Sequence, residues 1–305
     1  MLSTLNAHDF RQLILSGTAC LETNVDAINA LNVFPVPDGD TGINMLLTLR
    51  SASDAQLPDP SAATIGIMSS ALARGALLGA RGNSGVIFSQ FMKGLASTLA
   101  EHDECDAETL AAALLSAANA GYQAVGTPVE GTMLTVMRAA AEAVQTSDID
   151  DLEGVLRTAY EAAERALAYT PEQLPVLKQA GVVDAGGQGL VAFLAGALGF
   201  VSGVHLEILI ASPQGAVEQV PTDVSQEFLE HTADEMYGYC TQFVVEGDRL
   251  DPDNARIQVM NLATSTVVVG DDRVVRVHAH VSDPGPLLSL GAAMGSLDQI
   301  NIQNM

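Results

Sequence analysis

Basic side chains are scarce in this sequence. Lysine and arginine together number 13 against 37 acids, for a formal charge of −24, and Lys93 and Lys178 are the only lysines. A surface this negative repels phosphodiester backbones and anionic headgroups, which argues against nucleic acid and lipid surfaces as partners. Cysteine is limited to Cys20, Cys105 and Cys240. An odd, widely spaced set builds no disulfide framework and suits a reducing compartment, so a cytoplasmic location is expected. The longest apolar run, Gly189 to Val204, falls short of a bilayer span and holds several glycines, so it reads as a buried helix. His8, Asp9 and Arg11 stand where a secretory leader needs apolar residues, and no targeting segment is expected. What is abundant is apolar residue, 48% of 305 positions against 16% charged. That composition is too apolar for disorder, and the length suits about two domains.

Two textures divide the chain. Up to about residue 205, apolar residues recur at helical intervals, as in Phe10, Leu13, Ile14, Leu21, Val25, Ile28 and Leu31. Seven further helical stretches follow, near 43–54, 61–79, 84–100, 106–124, 132–145, 150–169 and 187–202. Cap signals stand at Ser84, Asp106 and Asp150-Asp151. The expectation is an all-α bundle or barrel of eight helices over 1–205. In 206–305 the pattern changes to a strand over 205–210, a linker marked by Pro213, Gly215 and Pro221, and a short helix over 224–236. Then come strand 238–245, helix 253–262, strand 266–269, strand 273–281, helix 286–294 and strand 299–303. That succession is βαββαβ, the ferredoxin-like order. The chain stops at Asn304-Met305 without a terminal helix or tail and is expected to be a fragment.

The most informative segment runs from Asn32 to Met45, Asn-Val-Phe-Pro-Val-Pro-Asp-Gly-Asp-Thr-Gly-Ile-Asn-Met, between the first two helices. Its prolines fix an extended approach and its glycines allow conformations closed to other residues. Asp38 and Asp40 stand two apart in an extended turn, so both carboxylates can converge on one hard cation, with Asn32 adding an amide oxygen. Oxygen-only ligation suits Mg²⁺ or Ca²⁺. An Asp-Gly turn with solvated acids is the competing reading of the loop taken alone. Three more glycine-rich helix entrances follow: Ala80-Arg-Gly-Asn-Ser-Gly85, Glu130-Gly-Thr-Met133 and Asp184-Ala-Gly-Gly-Gln-Gly189. Helix N-termini of this kind favour anions. In an up-and-down bundle these loops can gather at one end. With no Gly-x-x-x-x-Gly-Lys-Ser/Thr loop and two lysines, phosphate charge has to be neutralised mainly by Mg²⁺ at the acids, with Arg81 assisting.

Leu31–Met45, Ala80–Gly85, Pro128–Met133 and Val183–Leu190 together resemble the kinase domain of the bacterial fatty-acid kinase A-subunit, of the dihydroxyacetone kinase L-domain group. The resemblance implies an eight-helix barrel that binds ATP and Mg²⁺ at one end. It implies that Asp38 and Asp40 hold the magnesium as the catalytic pair, with Asn32 near a third metal position. Asn44, Ser84, Gly85, Thr132 and Gly186 then border the nucleotide, together with Thr41, Arg81, Asn83, Gly131, Met133 and Asp184 in the same motifs. Ile43, Met133 and Gln188 depart from the family pattern, which has Thr, Ile and frequently Lys there.

Cys240 falls on the first strand of the βαββαβ unit, and His278 and His280 share one face of the third. First and third strands are central neighbours in the ferredoxin-like order, so a thiolate and two imidazoles can meet, a set that suits Zn²⁺ with one position open. A buried thiol beside two histidines on a solvated sheet face is the alternative. This half resembles the middle domain of the same kinase family, whose Tyr-Cys and Val-His-x-His segments supply a zinc site. The resemblance favours the metal, in a structural or dimer-related role, and a homodimer is expected. It also implies the reaction: transfer of the ATP γ-phosphate to a fatty-acid carboxylate presented by a separate, lipid-loaded fatty-acid-binding protein, giving an acyl phosphate. The alternatives are part of a dihydroxyacetone-type kinase and a non-catalytic nucleotide-binding scaffold.

Overall fold

The computed structural model describes residues 2–204 and 238–305. The strand expected over 205–210, the linker prolines and the helix expected over 224–236 lie outside the described residues.

Ten helices make up the first half: α1 (Ala7–Thr23), α2 (Val25–Ala30), α3 (Thr41–Asp54), α4 (Ile65–Gly79), α5 (Gly82–Leu99), α6 (Ala107–Ala124), α7 (Met133–Gln145), α8 (Leu152–Gln173), α9 (Pro175–Ala180) and α10 (Ala185–Ser202). Eight are the long helices of the sequence pattern. The other two, α2 and α9, have six residues each. Residues 10–31 form two helices because Asn24 ends α1, its side-chain amide donating to the Cys20 carbonyl at 2.7 Å. α5 begins at Gly82, two residues before the expected Ser84 cap; the Ser84 hydroxyl instead donates to the Thr41 carbonyl. Asp106 and Asp151 do cap α6 and α8, accepting from the Thr109 and Gly154 amides.

α8 runs four residues past its expected end and contains Pro171. Proline has no N–H for the carbonyl four residues back and ordinarily disrupts a helix there. Here the Thr170 hydroxyl donates to that carbonyl, Leu167 O, at 2.7 Å, and itself accepts the Asp184 N–H at 3.1 Å. The last turn of α8 is thereby joined to the start of α10.

Neighbour follows neighbour in space through α3, α4, α5, α6, α7, α8, α10 and α1, and the ring closes where α1 meets α4 and α3. Its core is aliphatic and alanine-rich with a few aromatics, among them Phe88 and Phe193 edge to face at 5.2 Å. α10 is long and apolar enough to cross a membrane, yet most of it is buried against the other helices. It approaches α1 backbone to backbone: a Cβ on Gly196 would lie 2.3 Å from the Ser16 carbonyl oxygen.

The second half is β1 (Tyr239–Glu246), α11 (Pro252–Met260), β2 (Thr264–Gly270), β3 (Val274–Val281), α12 (Pro284–Met294) and β4 (Ser296–Asn304). The sheet is antiparallel in the order β2-β3-β1-β4, the ferredoxin-like arrangement. Phe243, Val245, Val275, Val277 and Ala279 meet α11 and α12 on one face. The other face lies against the helical half, where Val267 and Val269 pack with Leu77, Ala80, Val86 and Ala124. Polar links hold this seam: Lys93 Nζ donates to the Gly270 carbonyl at 3.0 Å, and the buried Arg276 donates to the Leu78 carbonyl at 2.8 Å. That face is therefore not solvated, and every residue of β3 is buried.

Replacing a helix-interior glycine with alanine normally stabilises by up to about 1 kcal/mol. Gly196→Ala is expected to reverse that sign and destabilise by about 1–3 kcal/mol, because the methyl group meets backbone on α1. Chemical denaturation reads the difference, and a stabilised variant would refute the close packing of α1 and α10.

Candidate functional site

Each of the four glycine-bearing loops contributes to one cavity of about 450 Å³, and the sheet face turned away from α11 and α12 forms its far wall. Asn32, Asp38, Asp40, Thr41, Asn44, Asn83, Ser84, Thr132, Met133, Asp184 and Gly186 line it, as do Cys240, His278 and His280. The acidic loop and the Cys/His group, two separate sites in the sequence, thus share a single chamber. Three expected residues take other places. Arg81 is exposed and outside the lining. Gly85 packs α5 on α3, where a Cβ would meet Thr48 and Asn44. Gly131 makes a turn at φ +80°, its N–H donating to Thr135 Oγ1.

Asp38 and Asp40 face each other closely enough to share a hydrogen bond. Partial desolvation, reinforced by repulsion from Asp40, pushes the Asp38 carboxyl up to about 7, although a hydrogen bond from Asn32 acts the other way. Asn32 approaches Asp38 with its amide nitrogen, so it orients the carboxylate as a donor. Asp40 stands at the N-cap of α3 without capping it, because Asn29 on α2 does so: its Oδ1 accepts the Gly42 and Ile43 amides at 2.8 and 3.2 Å. Both acids are left facing the cavity. Asp38 is exposed and Asp40 half-buried; two carboxylates this close, with no lysine or arginine side chain in the lining among the described residues, are a donor set that fits a divalent cation.

The three glycine-rich helix starts divide into two kinds. Asp184, fully buried, caps α10 through the Gly187 amide at 2.7 Å and also accepts from the amides of Met133 and Gly186. One carboxylate thereby holds the starts of α7 and α10, and burial pushes it up to about 6. At α5 the N-cap residue Arg81 makes no side-chain cap, and the Gly82 N–H is taken by Gln242 Oε1 from β1 at 3.3 Å. The Asn83 and Ser84 amides that follow have no partner among the described residues, and a helix start of this kind favours an anion.

Cys240 and His280 are direct cross-strand partners, as are Gln242 and His278. One potential ligand atom from each of Cys240, His278 and His280 lies within 4.8 Å of the others, and Cys240 Sγ is 4.0 Å from His278 Nδ1. Burial, with His280 and Arg276 nearby, lowers His278 to about 3, and burial lowers His280 as well. Both rings are therefore neutral, the ligand form of imidazole. His278 Nε2 is buried with no hydrogen-bond partner. A soft, neutral donor set around an unsatisfied buried nitrogen fits Zn²⁺. Burial raises the Cys240 thiol, and Asp38 and Asp40 raise it further, which shows how near the two groups stand.

Sequence reading missed Asn29, Thr170 and Gln242. The first two lie outside the glycine motifs and reach the site only through hydrogen bonds across the fold. Gln242 carried one signal, its place two residues from Cys240 on the same strand face.

The chain matches the DAK2 domain model over residues 35–199 and the model of a fatty acid kinase A-subunit-like middle domain over residues 236–305. It is 37% identical over 317 residues to protein YloV of Bacillus subtilis, and 35% identical over 311 residues to an uncharacterised protein of Staphylococcus haemolyticus. Each alignment covers the whole chain and 56% of the relative, so the chain spans about half the length of these curated relatives. Among solved structures it is similar to the dihydroxyacetone kinase of C. freundii in complex with AMP-PNP and Mg²⁺, at 20% identity and a TM-score of 0.47, over 62% of this chain and 33% of that one. The acidic loop and the glycine-rich helix starts fall largely inside the first matched region, and the Cys/His strands fall inside the second: the chain belongs to the DAK2-domain family, with a middle domain of the fatty-acid kinase A-subunit type.

Proposed function

We propose that this chain is the nucleotide-binding part of an ATP-dependent phosphotransferase whose acceptor is a fatty-acid carboxylate carried by a separate lipid-loaded protein. The observation that carries the reading is the close Asp38/Asp40 pair facing the start of α5 across one cavity. Family membership supports kinase chemistry, and the fatty acid kinase type of the middle domain supports the acceptor. The reading divides the chain into a nucleotide-binding unit over 1–205 and a middle unit over 206–305.

In this mechanism Asp38 and Asp40 hold Mg²⁺, which neutralises phosphate charge when bound. Amides at the α5 start donate to phosphate oxygens, while Thr41, Asn44 and Thr132 border the triphosphate. The acceptor oxygen forms a bond to the γ-phosphorus as the bond to the bridging oxygen breaks, and ADP departs. A carboxylate is ionised at neutral pH and needs no general base, in keeping with neutral, buried histidines. Cys240, His278 and His280 hold Zn²⁺ in the wall opposite the acids, and the chain works as a homodimer in the cytoplasm.

Asp38→Asn and Asp40→Asn are each expected to lower turnover by about 10²- to 10³-fold. Asp38→Asn should also raise the melting temperature of the metal-free protein at pH 7, since it removes the repulsion with Asp40. Full activity in both variants would remove the mechanism. A γ-phosphate transfer assay with lipid-loaded partner, without it, and with dihydroxyacetone in its place tests the acceptor. Transfer only to dihydroxyacetone would redirect the reading, and nucleotide binding without transfer to either would leave a scaffold.

The Asp38 shift fixes a pH dependence. Its folded value, about 7, lies above the unfolded one of 3.8, so the folded state holds the extra proton between them. Its contribution to metal-free stability is full below about pH 4 and is lost as pH rises through 7. A cation must displace that proton, so Mg²⁺ affinity should climb about tenfold per pH unit below 7 and level off above it. Calorimetry in buffers of different ionisation enthalpy counts the proton, and a flat affinity from pH 5 to 8 would contradict the coupled acid pair.

A further inference from the structure

Gln242 lies where the two halves of the cavity meet. It is buried, on the same face of β1 as Cys240 and directly across from His278. Its Oε1 accepts the Gly82 N–H at 3.3 Å, and its Nε2 donates toward Cys240 Sγ at 3.6 Å. Gly82 is the first residue of α5, held at φ +57°, where a Cβ would strike the Asn44 amide at 2.3 Å. One planar amide therefore touches the first peptide of the anion-facing helix and the sulfur of the Cys/His cluster. Fixing one edge of an amide fixes the direction of the other.

The geometry points to Gln242 as a positioning residue that couples the two sites, so that nucleotide at the α5 start and a metal ion at Cys240, His278 and His280 each tighten the binding of the other. This rests on reading the cavity as a nucleotide site with a metal-binding wall. A metal-bound thiolate is a stronger acceptor than a thiol, so ligation draws Nε2 toward the sulfur and sets Oε1 on Gly82. A phosphate that orders the α5 start acts on the same amide from the opposite edge. Linkage requires the factor to be equal in both directions.

Co²⁺ is a suitable probe in the full chain, because its thiolate charge-transfer absorption arises only from ligation by cysteine. Co²⁺ is titrated with and without saturating Mg·ADP, and Mg·ADP is titrated calorimetrically, in excess Mg²⁺, with and without Co²⁺. In the unaltered protein each ligand should tighten the other about tenfold, within the usual range for coupled sites. Gln242→Met keeps length and volume without the amide, and Gln242→Asn keeps the amide but is too short to span both contacts. In both variants each ligand should still bind while the coupling factor drops below about twofold. Circular dichroism checks the fold, and the asparagine variant decides should the methionine variant fail to fold. A factor near one in the unaltered protein, or an undiminished factor in a folded variant, overturns the coupling. A missing thiolate band or missing ADP binding in the unaltered protein overturns the reading of the cavity itself.

Discussion

Two carboxylates held side by side set the terms for the rest of the site. Asp38 and Asp40 repel each other where partial desolvation already disfavours charge, and Asn32 offsets only part of that cost. The fold holds them there because other groups do the local work they would otherwise do. Asn29 caps α3 in place of Asp40, and the prolines and glycines of the loop bring the chain round to face the starts of α5, α7 and α10. Hydrogen bonds elsewhere in the fold maintain an arrangement in which two like charges stand together.

The scarcity of basic residues gains meaning from where those residues lie. Lys93 donates to a carbonyl at the β2–β3 turn, Lys178 pairs with Glu172 at the surface, and Arg276 is buried against the end of α4. Arg138 is bound to Glu130 beneath the α7 start. None of these lines the cavity. On the proposed reading, neutral backbone donors and an added cation meet the polyphosphate in their place.

Much of this was legible in the sequence, and the reasons for success and failure are physical. Helices with an apolar stripe and an Asp cap, such as α6 and α8, announce themselves locally, and so does the βαββαβ succession with its alternating strands. The acid pair and the glycine turns were readable because their chemistry is carried by adjacent residues. The last turn of α8, past residue 169, was not readable, since the hydroxyl that takes over from the missing N–H of Pro171 belongs to a threonine whose second partner, Asp184, lies fourteen residues on. The single chamber was not readable at all. It depends on the second sheet face docking on α5 and α6, and the small apolar cluster at that seam has no periodic signature of its own.

Asp184 grips the first amides of both α7 and α10. The two helix entrances are therefore not free to drift apart over evolutionary time. An insertion or a shifted register in one would pull the shared anchor away from the other, and only a matching change would restore it. Relatives should accordingly vary in length between these entrances, along the outer stretches of α7 and α8, while the spacing of each entrance from its anchor stays constant.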